Sequence, residues 1–291
     1  MEVVLSKEAG FCFGVERAIR LALQSTEKET DKVYTLGPII HNPQVVEEFK
    51  QKGVEVISSP DDVHSQGVVV IRAHGVKPSV ESELKELGAE VVDGTCPIVK
   101  HSQKYAKKLF DEGYQVVVIG ERHHPEVIGL MGYTNETAIV IDPDVTAVDI
   151  PPGKKLGVIP QTTLEVKDFL RVVGLLIEKA REVRVFNNVC NAVTDIQEAT
   201  KDLSQEVDMV LVIGGKNSAN TSRLAVICRA LGKEAHHIET PEEIQKEWFY
   251  GMKRVGVTAG TSTPDWIIQA VMERAKHLGE EAEREAAERS R

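Results

Sequence analysis

Short runs of valine and isoleucine alternate along this chain with stretches of helical polar–apolar period. Apolar runs open segments such as VVVIRAHG, QVVVIGERHH and MVLVIGGKNS, and each run passes directly into a polar loop. The stretches between them, roughly 10–15 residues long, have the period of helices, and such alternation is typical of βαβ units. The pattern therefore predicts an α/β fold with mainly parallel sheets.

Three cysteines open segments of one kind, which indicates a triplicated chain. The segments are GFCFGVERAIRLAL, DGTCPIVKHSQKYAKKLF and NNVCNAVTDIQEAT. In each one a valine follows three residues after the cysteine, and a helical period then begins. Each thiol is predicted to lie just before a helix N-terminus. The three cysteines are Cys12, Cys96 and Cys190.

Two polar loops follow each cysteine at nearly constant spacing. The first, called here the early loop, brings a polar residue 29, 28 and 28 residues after the three cysteines, and these residues are His41, His124 and Ser218. The second, called the late loop, follows the next strand and carries His74 in the first repeat, Thr162 and Thr163 in the second, and Thr261 and Ser262 in the third. A period this long favours three small domains over a stacked solenoid.

The predicted architecture is three similar small α/β domains, at 1–95, 96–189 and 190–278, followed by a charged tail at 279–291 that is expected to be solvated or frayed. Ligands of parallel sheets gather beyond the carboxyl ends of the strands, where all six loops are expected. A pseudo-threefold trefoil would bring them to one central cavity, although spacing alone establishes neither the axis nor its closure.

Composition limits the classes of function. The 291 residues are 42% hydrophobic and carry a formal charge of −10, which argues against nucleic-acid binding. No apolar run is long enough to span a membrane, and MEVVLSKEAG is predicted to be a strand, so a cytoplasmic protein is expected. Thiols are reduced in that compartment, which favours metal binding or catalysis over disulfides. Cys228 lacks the repeated context and is predicted to be a buried apolar residue.

The three repeated thiols fit an iron–sulfur site better than a zinc site. No CxxC pair is present among them, and they lie 84 and 94 residues apart, unlike zinc fingers or bacterial ferredoxins. A helix N-terminus stabilises a thiolate, and a cubane held by only three cysteines leaves one iron open as a Lewis acid. The alternative is three buried cysteines that recur only because the chain is triplicated.

The loops carry neutral or positive hydrogen-bond donors and few lysines or arginines. Imidazole, hydroxyl and amide groups at helix N-termini can bind a diphosphate, although single histidines are more often capping or core residues. Glu126, in the HHPEVIG segment, is the candidate proton source. Its alternative role is that of a first-turn acid after Pro125, which the helix dipole favours. The candidate donors are His41, His74, His124, Ser218, Asn220, Thr162, Thr163 and Ser262.

Several motifs together resemble one enzyme family. These are GFCFGVERAI, TLGPIIHNPQ, AHGV, TCPIV, HHPEVIG, QTTL, GGKNSANTSRL and TAGTSTPDWII, and the likeness extends to about residue 278. The chain resembles the 4-hydroxy-3-methylbut-2-enyl diphosphate reductases, the terminal enzymes of the methylerythritol phosphate route to isoprenoids. The resemblance implies a trefoil around one [4Fe–4S] cluster per chain, on Cys12, Cys96 and Cys190, with one iron not ligated by cysteine.

The resemblance also implies a reaction and the residues that perform it. Two electrons and two protons would remove the substrate's hydroxyl as water and give isopentenyl and dimethylallyl diphosphates. Glu126, relaying through Thr162, would protonate the leaving oxygen, and an electron donor such as ferredoxin or flavodoxin would supply the electrons. The allylic diphosphate substrate would be bound by His41, His74, His124, Thr162, Ser218, Asn220 and Ser262.

Two residues depart from the family pattern. Val193 stands where the family usually has threonine, and Ala219 where it often has a second serine.

Two other functions stay open. The first is an iron–sulfur sensor of a diphosphate metabolite. A sensor would need no proton donor aimed at its ligand, and the sequence shows no DNA-binding module, so both observations count against it. A dehydratase with an open-iron cluster would need no external electrons.

A basic stretch follows the second cysteine. Lys100, Lys104, Lys107 and Lys108 recur at helical spacing, which would suit an acidic electron donor. The alternative is a solvated basic helix face.

Overall fold

The computed structural model describes residues 1–28, 32–64, 67–150 and 155–289. The strands in these ranges are β1 (Glu2–Leu5), β2 (Val33–Leu36), β3 (Val54–Ile57), β4 (Val68–Ile71), β5 (Glu90–Asp93), β6 (Gln115–Ile119), β7 (Ile139–Ile141), β8 (Lys155–Pro160), β9 (Glu182–Val185), β10 (Met209–Ile213), β11 (Glu234–Ile238) and β12 (Arg254–Ala259). The helices are α1 (Phe13–Thr26), α2 (Pro43–Gln51), α3 (Pro78–Glu86), α4 (Pro97–Asp111), α5 (Pro125–Gly132), α6 (Val166–Ile177), α7 (Asn191–Glu206), α8 (Ala219–Ala230) and α9 (Asp265–Arg289).

The strands form three four-stranded sheets in which every described pair is parallel. Their orders are β3-β2-β4-β5, β7-β6-β8-β9 and β11-β10-β12-β1. The central strands β2, β4 and β10 are buried along their whole length, which is why β4 and β10 read as continuous apolar runs and β2 departs from one only at Thr35. The predicted α/β fold with parallel sheets is confirmed.

Each sheet takes its last edge strand from the segment that leads to a cysteine. β5 precedes Cys96 and β9 precedes Cys190, and each completes the sheet built by the strands before it. For the third sheet that strand is β1, from the start of the chain, which pairs with β12 from Glu2 opposite Arg254 to Leu5 opposite Val257. The predicted N-terminal strand is thereby confirmed.

The chain divides into two compact units. The first unit comprises residues 1–12, 41–45 and 191–291 and holds the sheet of β1, β10, β11 and β12. The second comprises residues 13–40 and 46–190 and holds the other two sheets. The three-domain division at 95/96 and 189/190 and the pseudo-threefold arrangement stay predictions.

Equivalent glycines let a helix approach a central strand in both units. A Cβ on Gly157 in β8 would lie 2.6 Å from a methyl carbon of Leu109 in α4. A Cβ on Gly256 in β12 would lie 2.9 Å from a methyl carbon of Leu203 in α7. Because real Cβ atoms do not approach so closely, these two positions require glycine for the helix that follows a cysteine to pack on its sheet.

The charged C-terminal segment is better ordered than the sequence suggests. Helix α9 continues to Arg289, and Ala282 is only 1% exposed. Glu283 pairs with the N-terminal ammonium group, and Glu285 accepts a hydrogen bond from Tyr250. The expectation of a frayed tail is wrong for residues 279–289, which are helical with Gly279 and Ala282 buried, whereas the expectation of a solvated segment holds for most of their side chains. Within the described ranges, no helix has the length and apolar character of a membrane span.

Candidate functional site

The three repeated cysteines have the same backbone environment. Each cysteine directly precedes the first residue of a helix, as predicted, and these helices are α1, α4 and α7. The backbone N–H of each cysteine donates to the carbonyl oxygen of the residue two positions beyond the end of a central strand. The bonds are Cys12 to Thr261 at 3.1 Å, Cys96 to Ala73 at 2.9 Å and Cys190 to Thr162 at 2.9 Å. Every late loop therefore fixes one cysteine by the same main-chain contact.

The thiols of these cysteines suit a thiolate-bound group. Cys12, Cys96 and Cys190 are partly exposed thiols that take no part in a disulfide. A Cβ on Gly14 would lie 2.5 Å from the Cys96 sulfur, so a side chain at this position would displace the thiol. Partly exposed, reduced sulfurs at helix N-termini are the donors an iron–sulfur cluster requires, and the residues fit such a group.

Cys228 differs from the other three as predicted. Its side chain, on α8, is fully buried, and the hydroxyl of Ser204 in α7 donates to its sulfur at 3.5 Å. Burial raises the pKa of this thiol, which opposes thiolate formation. The prediction of a buried apolar residue is confirmed.

Two polar side chains anchor the cysteine-bearing segments of the second unit. Arg17 in α1 donates to the carbonyl oxygens of Asp93 and Thr95, just before Cys96. Asn188 donates to the Ile98 carbonyl at 2.7 Å and to the Ser102 hydroxyl at 2.6 Å, which ties the segment before Cys190 to α4. Sequence reasoning missed both residues. The only signal was that they lie within the GFCFGVERAI and NNVC segments.

Glu126 is buried in the first turn of α5 and bonds to the late loop of the same sheet. The residue is 2% exposed. Its Oε1 accepts the Thr162 backbone N–H at 2.8 Å, and its Oε2 accepts the Thr162 hydroxyl at 2.7 Å. Burial raises the pKa of the Glu126 carboxyl to about 7, although both bonds from Thr162 act in the opposite direction. The spacing of the loops did not indicate this pairing, whereas the family resemblance implied a relay between the two residues.

This pairing determines where a proton on Glu126 would reside. The Thr162 N–H is always a donor, so Oε1 must stay an acceptor. A proton on the carboxyl group therefore lies on Oε2 and donates to the Thr162 hydroxyl oxygen. The threonine hydrogen is then free to donate elsewhere. The arrangement can pass a proton from Glu126 through Thr162.

His124 caps the helix that carries Glu126. Its Nδ1 accepts the Glu126 backbone N–H at 3.2 Å. Because a backbone N–H can only donate, Nδ1 is unprotonated and the ring hydrogen lies on Nε2, where it can donate to a ligand. His74 lies edge-on to this ring, with 5.4 Å between centroids. The two candidate histidines of the second unit, His74 and His124, are thus adjacent, and the capping role expected as an alternative also holds for His124.

The first unit collects the remaining predicted donors. Ser218 is the N-cap of α8, and its hydroxyl oxygen accepts the Thr221 N–H at 3.3 Å. The Ser262 hydroxyl donates to the His41 carbonyl at 3.3 Å. Both serines are 5% exposed. Helix N-terminal hydroxyls of this kind can bind an anion.

Asn220 presents an amide group whose hydrogen bonding is incomplete. The side chain is 2% exposed, and its nitrogen lies 3.4 Å from the Thr261 hydroxyl. Among the described residues its Oδ1 has no hydrogen-bond partner. Turning the amide over would let the oxygen accept from Thr261 and would free the NH₂ group as a donor. That orientation is the one that suits a phosphate oxygen.

The basic stretch on α4 carries little free charge. Lys100 pairs with Asp93 at 2.5 Å, Lys107 with Asp111 at 2.9 Å, and Lys108 lies 3.9 Å from Glu112. Lys104 is exposed. Three of the four charges are balanced locally, which favours the alternative of a solvated helix face over a docking patch.

Comparisons with known proteins agree with this geometry. The family described as LytB protein matches residues 3–276. A 4-hydroxy-3-methylbut-2-enyl diphosphate reductase of Geobacter sulfurreducens is 46% identical over 278 residues, covering 96% of this chain and 98% of the relative. The reductase of Aquifex aeolicus is 44% identical over 283 residues, with the same two coverages.

Two solved structures share the fold. One, of the (E)-4-hydroxy-3-methyl-but-2-enyl diphosphate reductase described as the terminal enzyme of the non-mevalonate pathway, is 44% identical with a TM-score of 0.68 and covers 95% of this chain and 100% of its own. The other is the E-1-hydroxy-2-methyl-but-2-enyl-4-diphosphate reductase from Plasmodium falciparum, 25% identical with a TM-score of 0.86, which covers 92% of this chain and 86% of its own. The family match spans nearly the whole chain, and the chain belongs to the LytB protein family.

Proposed function

We infer that this protein is a reductase that removes the hydroxyl group of 4-hydroxy-3-methylbut-2-enyl diphosphate. Two electrons and two protons enter, the hydroxyl leaves as water, and the products are isopentenyl and dimethylallyl diphosphates. The relatives at 44–46% identity support this activity. The observation that carries the chemistry is the buried Glu126 carboxyl, with its pKa raised to about 7, bonded through both oxygens to Thr162.

The proposed metal ligands are Cys12, Cys96 and Cys190. LytB reductases are iron–sulfur proteins, and the repeated main-chain bond at each cysteine and the glycine beside the Cys96 sulfur support this assignment. A bound [4Fe–4S] cluster with one iron not ligated by cysteine would supply a Lewis acid and a path for electrons. The protein's own part is to present three thiolates at fixed backbone positions.

The proposed diphosphate ligands are neutral donors rather than a set of cations. The ring hydrogen of His124 lies on Nε2, because Nδ1 accepts the backbone N–H that caps α5. Ser218 lies at a helix N-terminus, where the dipole favours negative charge. The complete proposed set is His41, His74, His124, Thr162, Ser218, Asn220 and Ser262.

Glu126 is proposed as the general acid. A pKa of about 7 leaves a substantial fraction of the carboxyl protonated at neutral pH, which is the range where proton transfer is most effective. The proton on Oε2 passes to the Thr162 oxygen while the Thr162 proton passes to the leaving hydroxyl. Glu126 then holds the negative charge, which the Thr162 N–H and hydroxyl stabilise.

A metabolite sensor would not need a buried carboxyl group bonded to a threonine hydroxyl, so the pairing of Glu126 with Thr162 favours an enzyme over a sensor. An electron donor such as ferredoxin or flavodoxin, and a cytoplasmic location, complete the proposal. Anaerobic turnover with and without dithionite tests it. The reductase forms both isomeric products only with the reductant, whereas a dehydratase would consume substrate without one.

A further inference from the structure

A cavity of about 340 Å³ lies at the carboxyl ends of β2 and β4 in the second unit, outside the residues proposed for the reaction. The loop after β2, the start of α3 and the first turns of α5 form its walls. Its size falls at the lower end of the range, about 300–1000 Å³, of pockets that hold small molecules. Its apolar wall includes Val76, Val80 and Ile128.

Arg72 brings an unbalanced positive charge to this cavity. Among the described residues, its guanidinium forms no hydrogen bond or ion pair, and its Nε is buried without a partner. Burial lowers the pKa of Arg72, but a guanidinium remains charged at neutral pH. A desolvated cation without a counter-charge is costly, so the site is more stable with an anion present.

Gly37 leaves space for the guanidinium. Gly37, which lines the cavity, has a φ of +72° and packs against Arg72 so closely that a Cβ would collide with Nη1. Glycine at this position therefore both permits the turn and makes room for the charged group.

The other charged groups at the cavity are already satisfied. Lys77 pairs with Glu136 at 2.8 Å. The charged residues of the lining are Arg72 and Lys77; the Asp62 carboxylate, which is not part of the lining, accepts the backbone N–H groups of Ser58 and Ser59. Arg72 therefore carries the charge that selects a ligand, while the wall opposite it is aliphatic.

We propose that this cavity binds a small anion with a short aliphatic chain, through a carboxylate or phosphate monoester on Arg72 and the chain against Val80 and Ile128. A planar guanidinium binds two oxygens of either head group in parallel, which a lone ammonium does not. The site is separate from the proposed diphosphate donors and does not depend on the proposed function.

Binding of 3-methylbutyl phosphate and of 3-methylbutanoate to the full-length, cluster-loaded protein tests the proposal by anaerobic calorimetry. Arg72→Gln should weaken the better-bound probe by about tenfold to a hundredfold, as expected for a charge-assisted contact. Arg20→Gln, which removes an exposed arginine of α1, should change nothing. Ile128→Ala should weaken both probes while leaving inorganic phosphate unaffected, and comparison of the two probes identifies the preferred head group.

A histidine variant separates this cavity from the proposed diphosphate site. His124→Asn, which can still cap α5, should retain the probe that Arg72→Gln loses. Without ligand, Arg72→Gln should melt at the same or a higher temperature, because it removes an unpaired charge, so a loss of binding cannot be attributed to unfolding. Undiminished binding by Arg72→Gln, or loss of binding only in His124→Asn, would overturn the proposal.

Discussion

Both oxygens of the Glu126 carboxylate accept hydrogen bonds from Thr162, one from its backbone N–H at 2.8 Å and one from its hydroxyl at 2.7 Å. The bond from the backbone N–H can form with any residue other than proline at position 162, whereas the second bond requires the threonine hydroxyl. The two residues thus form a proton-transfer pair whose geometry is fixed on one side by the main chain.

Thr162→Val should lower turnover by about 10²–10⁴-fold, because it removes the oxygen through which the proton passes while nearly preserving volume. The lost hydroxyl bond also raises the pKa of Glu126 further, since that bond lowers it in the wild type. The alkaline limb of the rate profile should therefore move to higher pH. Steady-state rates across pH measure both effects, and Thr162→Ser is the control that should restore activity. Wild-type turnover by the valine variant would remove Thr162 from the proton path.

Glu126→Gln should stabilise the fold at alkaline pH. The carboxyl pKa is raised on folding from 4.5 to about 7, so the folded protein holds the proton more tightly than the unfolded chain. Wild-type stability consequently falls as pH rises from about 4.5 to 7 and stays reduced above that, by roughly 3 kcal/mol at most. Glutamine can make both bonds to Thr162 without this cost. Melting temperatures should show a gain of several degrees at pH 8.5 and less than half of it at pH 5.5. An equal gain at both pH values would mean that the carboxyl does not titrate as described.

Cys12→Ser, Cys96→Ser and Cys190→Ser should each lose most of the bound iron and sulfide, because each removes one of three thiolate ligands. Iron and sulfide content of anaerobically purified protein is the measurement. Cys228→Ser is the matched control and should retain both, since this thiol is buried in the core. Retention of full iron content by any one of the first three variants would exclude that cysteine as a ligand.

His124→Ala and His124→Asn should both weaken binding of a diphosphate inhibitor by about tenfold to a hundredfold, because neither keeps the ring Nε2–H. They should differ in stability. Asparagine can accept the Glu126 backbone N–H at the start of α5, whereas alanine leaves it uncapped, which costs about 1 kcal/mol. Inhibitor titration and thermal melting separate the two roles. Wild-type affinity in the asparagine variant would show that His124 only caps the helix.

The sequence predicted the parts of this protein that repeat, and missed the parts that depend on single contacts. The valine-rich runs predicted buried parallel strands, and the triplicated cysteine segments predicted three helices that begin just after a thiol. Residues Arg17 and Asn188 could not be recognised, because each bonds to main-chain atoms 76 to 90 positions away, and such a contact leaves no periodic signal. The C-terminal helix was misjudged because its two small buried residues, Gly279 and Ala282, give little apolar signal within a charged composition.

Glu126 illustrates the same limit at the candidate site. Its sequence position after Pro125 equally fits a charge at a helix start, and only the fold shows that it is 2% exposed and paired with Thr162. Burial, which no local pattern reports, turns an ordinary carboxylate into an acid that titrates near neutrality.

The turnover of Glu126→Gln with an excess of chemical reductant tests the central claim most directly. The variant should keep wild-type iron content and substrate affinity while its rate falls by about 10²–10⁴-fold, because glutamine preserves the contacts with Thr162 but has no proton to give at neutral pH. Turnover near the wild-type rate, with iron content and affinity unchanged, would contradict the assignment of Glu126 as the acid.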